Sequence, residues 1–126
     1  MIEPALVAYL REHVPSVGSR VHPGVLPDPP VLPAITYTRV STRRPVTYDG
    51  PHGFVRTRMQ LDVWAPSRSQ ARAVADELRR ALLGYRGRMG EMEVAIPEQS
   101  LDEDLAEPDD GLNRVLTEFI IWHEED

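Results

Sequence analysis

The chain has 126 residues, contains neither cysteine nor lysine, and carries a formal net charge of −6 at neutral pH. This length predicts a single domain spanning residues 1–126, and the absence of cysteine excludes disulfides and thiolate chemistry. The acidic balance argues against a surface that binds nucleic acid as a whole, and with no signal peptide and no apolar run near the ~18 residues that cross a membrane, we expect a soluble intracellular product with no membrane partner.

An amphipathic helix over residues 2–13 is the first predicted element. Its apolar side chains recur at helical spacing, and Pro15 is expected to end it because proline lacks the backbone N–H that a helix needs. Residues 16–32 are rich in proline and predict an extended arm or a wrapped loop. Within this arm only residues 20–22 could form a short edge strand.

Two long strands joined by a projecting connection come next. Residues 34–42 are rich in β-branched and aromatic side chains, which favour strands, and residues 43–53 have the turn chemistry of a flexible finger. Residues 54–65 alternate apolar or neutral side chains with polar or amphipathic ones, which is the period of a strand with one face on a core. The expected inward side chains are Val55, Thr57, Met59, Leu61 and Val63, and the outward ones include Arg56, Arg58, Asp62 and Trp64.

A helix over residues 67–83 follows the second long strand directly. Ser67 can accept a hydrogen bond from the backbone N–H of Gln70, which is the pattern of a helix N-cap. Alternation over residues 91–96 then predicts a third strand.

The chain is expected to end in an acidic loop and a last strand. Carboxylates crowd residues 97–111, which predicts the loop, and residues 113–123 alternate as a strand. The outward face of that strand carries Leu116, Ile120 and Trp122. Because this face is too apolar to be left in water, we expect something to cover part of it.

Taken in chain order, these elements predict an α+β domain with the order α-β-β-α-β-β. The sheet is expected to be mainly antiparallel and four-stranded, or five-stranded if the short strand after the first helix joins it. Both helices are expected to pack on one face of the sheet and to leave the other face partly exposed.

The sequence shows no pattern typical of catalysis or of a metal site. The histidines lack partners at metal-ligand spacing, and His123 is expected at the frayed end of the last strand. Asp102, Glu103 and Asp104 could hold a divalent cation, but the spacing of a calcium loop is missing, so a solvated acidic loop is favoured. With no nucleophile motif and no paired acid and base, we expect no enzyme, no metal and no cofactor.

Arginine is distributed unevenly along the chain. Arg56 and Arg58 share the outward face of a strand, and Arg43 and Arg44 lie in the adjoining connection. Three interpretations stay open: scattered surface charge, contact with nucleic-acid phosphates, and pairing to carboxylates of a neighbouring copy. The third gives candidate interface residues Arg43, Arg44, Tyr48, His52, Arg56, Arg58, Trp64 and Trp122, and candidate acidic contacts Asp102, Glu103, Asp104, Asp109 and Asp110.

Several short segments occur in an order and at spacings that resemble a known family. They are RVHP at 20–23, LPAITY at 32–37, DGP at 49–51, QLDVWA at 60–65, EP at 107–108 and FIIWH at 119–123. Together they resemble the small tail completion proteins of long-tailed phages, prophages and gene transfer agents, over nearly the whole chain. Leu105 and Ala106 depart from the pattern, since an aromatic is more often expected there.

The resemblance implies a structural role in virion assembly. Proteins of this kind look like tail terminators: subunits of a ring, usually a hexamer, that caps the head-proximal end of a non-contractile tail tube and joins it to the head connector. The partners would be further copies of the chain, the tail tube protein and the head-tail connector protein. DNA would pass through the hole without specific binding, and the acidic loop could line that lumen.

By the same resemblance, the protein would be assembled in the bacterial host cytoplasm and reside in the tail or neck of the virion. Two alternatives stay open. One is another neck component, a stopper or adaptor, and the other is a small nucleic-acid-binding domain that uses the arginine-bearing strands.

Overall fold

Two helices and eight strands make up the computed structural model, which describes residues 1–47, 50–51, 53–107 and 111–125. None of the helices in these residues is long and apolar enough to cross a membrane. In chain order the elements are α1 (Ile2–His13), β1 (Val21–Pro23), β2 (Ala34–Arg43), β3 (Val46–Thr47), β4 (Gly50–Pro51), β5 (Phe54–Ala65), α2 (Arg68–Leu82), β6 (Arg86–Met89), β7 (Met92–Glu107) and β8 (Leu112–Glu124).

The main sheet has six strands in the order β1-β2-β5-β8-β7-β6. Only the β1–β2 pair is parallel among them, and the other neighbours are antiparallel. The α+β class is therefore confirmed, but the predicted four or five strands are wrong. The elements around the main sheet follow the order α-β-β-β-α-β-β-β, not α-β-β-α-β-β.

One missed strand, β6, forms because the chain turns back sharply after α2. Gly84 has a φ of 84°, a left-handed value that glycine adopts without steric cost. Its N–H donates to the carbonyl of Ile96 at 2.8 Å, and Tyr85 and Ile96 continue the pairing. Strand β6 could not be predicted from the sequence, because its glycine and arginines weaken the alternation of polar and apolar residues by which a strand is recognised.

The predicted acidic loop is also wrong, because strand β7 continues through it to Glu107. It pairs with β8 as far as Leu112, with register shifts between Ala95 and Glu98 and between Gln99 and Leu101. Each bulge inserts an extra residue and breaks the alternation of faces. The carboxylates that indicated a loop in fact lie on both faces of a paired strand.

Other expectations are confirmed. Helix α1 has its predicted bounds, and the Ser67 side chain accepts a hydrogen bond from the Gln70 N–H at 3.2 Å to cap α2. The short edge strand appears as β1, one residue later than predicted. Within the finger, β3 and β4 pair with each other. Tyr48, Asp49 and His52 of that finger lie outside the described residues.

The hydrophobic core lies between one face of the sheet and the two helices, as predicted. All five inward residues of β5 are buried, and so are their cross-strand neighbours on β8. The side chains that the helices contribute to this core are Ile2, Leu6 and Leu10 from α1, and Ala71, Val74, Ala75, Leu78 and Leu82 from α2.

His123 lies inside this layer and not at a frayed end, since only 3% of its surface is exposed. Its Nδ1 is 2.8 Å from the backbone carbonyl of Glu124, and its Nε2 is 2.7 Å from Thr57 Oγ1. A neutral ring satisfies both contacts, with Nδ1–H donating to the carbonyl and Nε2 accepting from the hydroxyl. Burial lowers the pKa of His123, and nearby Arg39 lowers it further while Glu3 opposes that effect.

The depressed pKa of His123 predicts that the protein loses stability in mild acid. The unfolded chain takes up the proton near pH 6.5, before the folded chain does, so the free energy of unfolding should fall as the pH drops below about 6.5. Urea unfolding between pH 8 and pH 5.5 measures this. We expect His123→Gln to flatten the dependence and His13→Gln, at an exposed helix end, to keep it. A wild-type stability that is constant over this range would contradict the assignment.

Candidate interaction surface

The face of the sheet turned away from the helices is called here the outer face. Residues directly opposite each other in antiparallel strands share a face, so the β5–β8 register places the outer residues of the two strands in rows. From one end of the sheet to the other, these rows are Arg56 with Trp122, Arg58 with Ile120, Gln60 with Glu118, Asp62 with Leu116, and Trp64 with Arg114.

The middle of the outer face is held by an ion pair within the chain. Arg58 Nε and Nη2 donate to the two carboxylate oxygens of Glu118 at 2.7 and 3.2 Å, and Ser100 Oγ donates to Glu118 Oε1 at 2.9 Å. The Glu118 side chain is only 8% exposed. The hydrogen bond from Arg58 keeps the pKa of Glu118 below its usual value despite burial. Glu118 is therefore ionised and already fully engaged.

The far end of the outer face holds a second network of polar contacts within the chain. Gln60 Nε2 donates to Asp62 at 3.1 Å, and Arg114 Nη1 lies 3.5 Å from the same carboxylate. The Arg114 guanidinium stacks over the Trp64 ring at 5.1 Å, while Trp64 Nε1 donates to Thr36 Oγ1 at 3.0 Å. Burial raises the pKa of Asp62, and its hydrogen bonds partly oppose that shift.

The near end of the outer face differs from the middle and the far end, because the described residues form a groove there. Arg43, Arg44, Pro45, Arg56 and Trp122 line a groove there, called here the arginine groove. Arg44 pairs with Glu125 at 2.6 Å. Within the described residues, the side chains of Arg43 and Arg56 make no hydrogen bond or ion pair, and the Trp122 ring above β8 is only half-buried. Next to the groove, Val46 is 67% exposed.

Two aspartates of β7, Asp102 and Asp104, face the helices, on the side of the sheet opposite this groove. Arg72 of α2 pairs with Asp102 at 2.9 Å and with Asp104, and Arg68 adds a longer contact to Asp104. These hydrogen bonds raise the pKa of Arg72, and its guanidinium lowers the pKa of Asp104. The two aspartates therefore fix β7 to α2, whereas Glu103 between them faces outward and is exposed.

The structure brings some of the candidate residues predicted from the sequence together and places others in separate networks. Arg43, Arg44, Arg56 and Trp122 come together in the groove. Arg58 and Trp64 share its face but are engaged in the networks beyond it. Tyr48, His52, Asp109 and Asp110 lie outside the described residues. The partners Glu118 and Arg114 were missed, because only the strand register, which the alternation alone does not fix, brings them to Arg58 and Trp64.

The described part of the chain holds no group of three or more histidine, cysteine, aspartate or glutamate residues that could bind a metal ion. What the outer face offers chemically is a concave corner with guanidinium groups beside an indole ring. Arginine and tryptophan are enriched in the cores of protein interfaces. A guanidinium group also suits carboxylates of a partner because it can donate two parallel hydrogen bonds.

Comparison with known proteins adds the decisive observation. Residues 4–124 match the family described as "Tail completion protein gp17". The chain belongs to this tail completion protein family. The resemblance noted in the sequence is thereby confirmed, and so is the expectation of a structural tail protein and not an enzyme.

A solved structure shares the fold of this tail completion protein. It is described as the virion of a native gene transfer agent particle, and one of its chains superposes with a TM-score of 0.77 at 16% sequence identity, covering 97% of this chain and 93% of that chain. At this identity the likeness establishes the fold. No curated protein matches the chain in sequence.

Arg58 is paired with Glu118, whereas Arg56 has no described partner, so replacing the two arginines should affect stability differently. Arg56→Gln should change the free energy of unfolding by less than about 0.5 kcal/mol, because it removes no hydrogen bond or ion pair among the described residues. Arg58→Gln should lower stability more, since it leaves the buried Glu118 carboxylate without its charged partner. Urea unfolding of both variants measures this.

The matched control is the double variant R58Q/E118Q. It should be more stable than R58Q alone, because the unpaired buried charge is gone. If Arg56→Gln costs as much as Arg58→Gln, then Arg56 has a structural role that the described contacts do not show.

Proposed function

We propose that this tail completion protein is the subunit of a ring, most simply a hexamer, that caps the head-proximal end of a non-contractile tail tube and joins the tube to the head connector. The family match over residues 4–124 carries this proposal. The fold shared with a chain of the gene transfer agent virion supports it. The protein would then reside in the tail or neck of a virion after assembly in the host cytoplasm.

The arginine groove is the best candidate for a contact between subunits. Elsewhere on the outer face, Arg58 and Arg114 already contact carboxylates of their own chain, so little is gained by covering these two arginines. At the groove, two guanidinium groups lack a described partner and stand beside a half-exposed indole ring. Burial of such a corner against acidic groups gives both apolar contact and directed hydrogen bonds.

A ring also requires that the two contacting surfaces differ. When one surface of a subunit binds a different surface of the next, the contact repeats head to tail and closes if the rotation allows. The arginine groove provides one such surface. Negative charge on the rest of the subunit suits a channel for DNA, since the net charge is −6 and phosphates are repelled by carboxylates.

Reversing the charge of the groove should therefore prevent assembly. We expect R43E/R56E to remain monomeric under conditions in which the wild type forms rings, alone or with the tail tube protein, because the groove would then repel acidic partners. Sedimentation velocity and negative-stain electron microscopy measure this. The variant avoids Arg58, whose replacement would disturb Glu118 and confuse assembly with folding.

The matched control is R11E/R80E, which reverses two exposed arginines on the helices and should assemble normally. A wild type that stays monomeric even with the tail tube protein would contradict the proposed ring. Capture of the head connector but not of the tube would favour a stopper or adaptor. Binding to duplex DNA with a steep salt dependence would favour a nucleic-acid-binding role.

A further inference from the structure

Two glutamates of β7 stand on the outer face without a described partner. Glu98 pairs in register with Ile120 and Glu103 with Leu116, and both of these β8 residues belong to the outer face. The bulge between Gln99 and Leu101 is what places an even-numbered and an odd-numbered residue on the same face. Both glutamates are exposed, and within the described residues neither side chain makes a hydrogen bond or ion pair.

Among the side chains that the structure describes, these glutamates are also the acidic residues that remain available on this part of the sheet. Asp102 and Asp104, the obvious candidates from the sequence, are occupied by Arg72 on the helix side. Glu118 is occupied by Arg58. The pair Glu98 and Glu103, called here the acidic row, is therefore free to neutralise a basic surface outside the chain.

The groove and the acidic row lie on different flanks of one sheet. Arg43 and Arg56 belong to β2 and β5, while the acidic row belongs to β7, beyond β8. At about 4.8 Å between neighbouring strands, β2 lies roughly 14 Å and β5 roughly 10 Å from β7. A single subunit thus presents two different flanks of opposite charge, and a head-to-tail contact between copies requires that the two contacting surfaces differ.

Pairing of the sheets edge to edge is a less suitable contact. Among the described residues, strand β1 pairs only with Ile35–Tyr37 of β2, and the pairing of β7 with its β6 side ends at Ile96, so both long strands have an edge without a described partner. Yet β2 is bulged between Arg39 and Ser41, and β7 is bulged twice. Bulges twist an edge away from pairing with another chain. A contact through side chains of the outer face is therefore more suitable than backbone pairing at the sheet edges.

We infer that the arginine groove of one subunit receives the acidic row of the next, with Arg43 and Arg56 of the first paired to Glu98 and Glu103 of the second. This pairing presupposes the proposed ring and identifies the partner of the groove as a second copy of the chain. The contact is electrostatic and exposed at its rim, so raising the salt concentration weakens it.

A mixing experiment with two charge-reversed variants tests this pairing. R43E/R56E makes both flanks acidic, and E98R/E103R makes both flanks basic. Each alone should raise the protein concentration needed for half-maximal assembly by at least about tenfold, because like charges then face each other. In an equimolar mixture the two variants can alternate around the ring, so assembly should return to within about threefold of the wild-type value. Sedimentation velocity measures all four samples.

Control variants with the same charge changes elsewhere are R11E/R80E and E12R/E91R, whose substituted side chains are exposed. They should assemble like the wild type, and mixing them should change nothing. Circular dichroism and urea unfolding show that each variant is folded before its assembly is measured.

Each outcome separates the pairing from the ring itself. Wild-type rings with unaffected variants would overturn the pairing and leave the ring standing. Variants that each fail, and that fail again when mixed, would show that the groove and the acidic row do not face each other. A wild type that never assembles, even with the tail tube protein, would overturn both. Loss of duplex-DNA binding in R43E/R56E alone would assign the groove to nucleic acid.

Discussion

The uninterrupted pairing of β5 with β8 is the constraint on which the rest of the structure depends. Twelve consecutive residue pairs, from Phe54 with Glu124 to Ala65 with Asn113, run without a bulge. Because side chains alternate across a strand, this one register decides which residues face the helices and which face outward. A slip of one strand by one residue would place Met59 and Phe119 on opposite faces of the sheet, and the core would be lost. The same register sets the order of charges on the outer face.

On the outer face, several charged side chains pair with opposite charges of the same chain. Its basic side chains, apart from histidine, are all arginine, whose planar guanidinium can bind a carboxylate through two hydrogen bonds. Arg58 with Glu118 and Arg114 with Asp62 are such intrachain pairs, and Arg72 plays the same part on the helix side. What remains open is a corner around Arg56 and, across the sheet, two glutamates. The proposed assembly therefore depends on a small part of the face and not on the whole of it.

Local pattern was enough to predict much of this fold. The alternation over 54–65, the helical periodicity and the Ser67 cap depend on neighbours in sequence, and they appear as expected. The strand β6 and the long β7 could not be predicted in the same way, because they exist through pairing with distant residues. Carboxylates favour loops in isolation, but Arg72 and the β8 ladder override that preference.

In the candidate site, too, some features follow from local sequence and others only from pairing between distant residues. Arg43, Arg44, Arg56 and Trp122 could be proposed from strand faces and charge, and they do meet. Arg58 looked equivalent to Arg56 in the sequence, since both point outward from one strand. Its partner Glu118 is sixty residues away, so only the register could show that Arg58 is engaged. Glu98 and Glu103 needed the position of a bulge as well, which no local pattern indicates.

The two tryptophans stand at opposite ends of the outer face and report on it separately. The most direct measurement is therefore the fluorescence of Trp122 in a Trp64→Phe variant, before and after assembly with the tail tube protein, together with acrylamide quenching. If the groove is a subunit contact, emission should shift to shorter wavelength and quenching should decrease on assembly, while Trp64 reports no change in a Trp122→Phe variant that sedimentation shows to be assembled. Assembled rings in which Trp122 keeps its emission and its access to acrylamide would contradict that role for the groove.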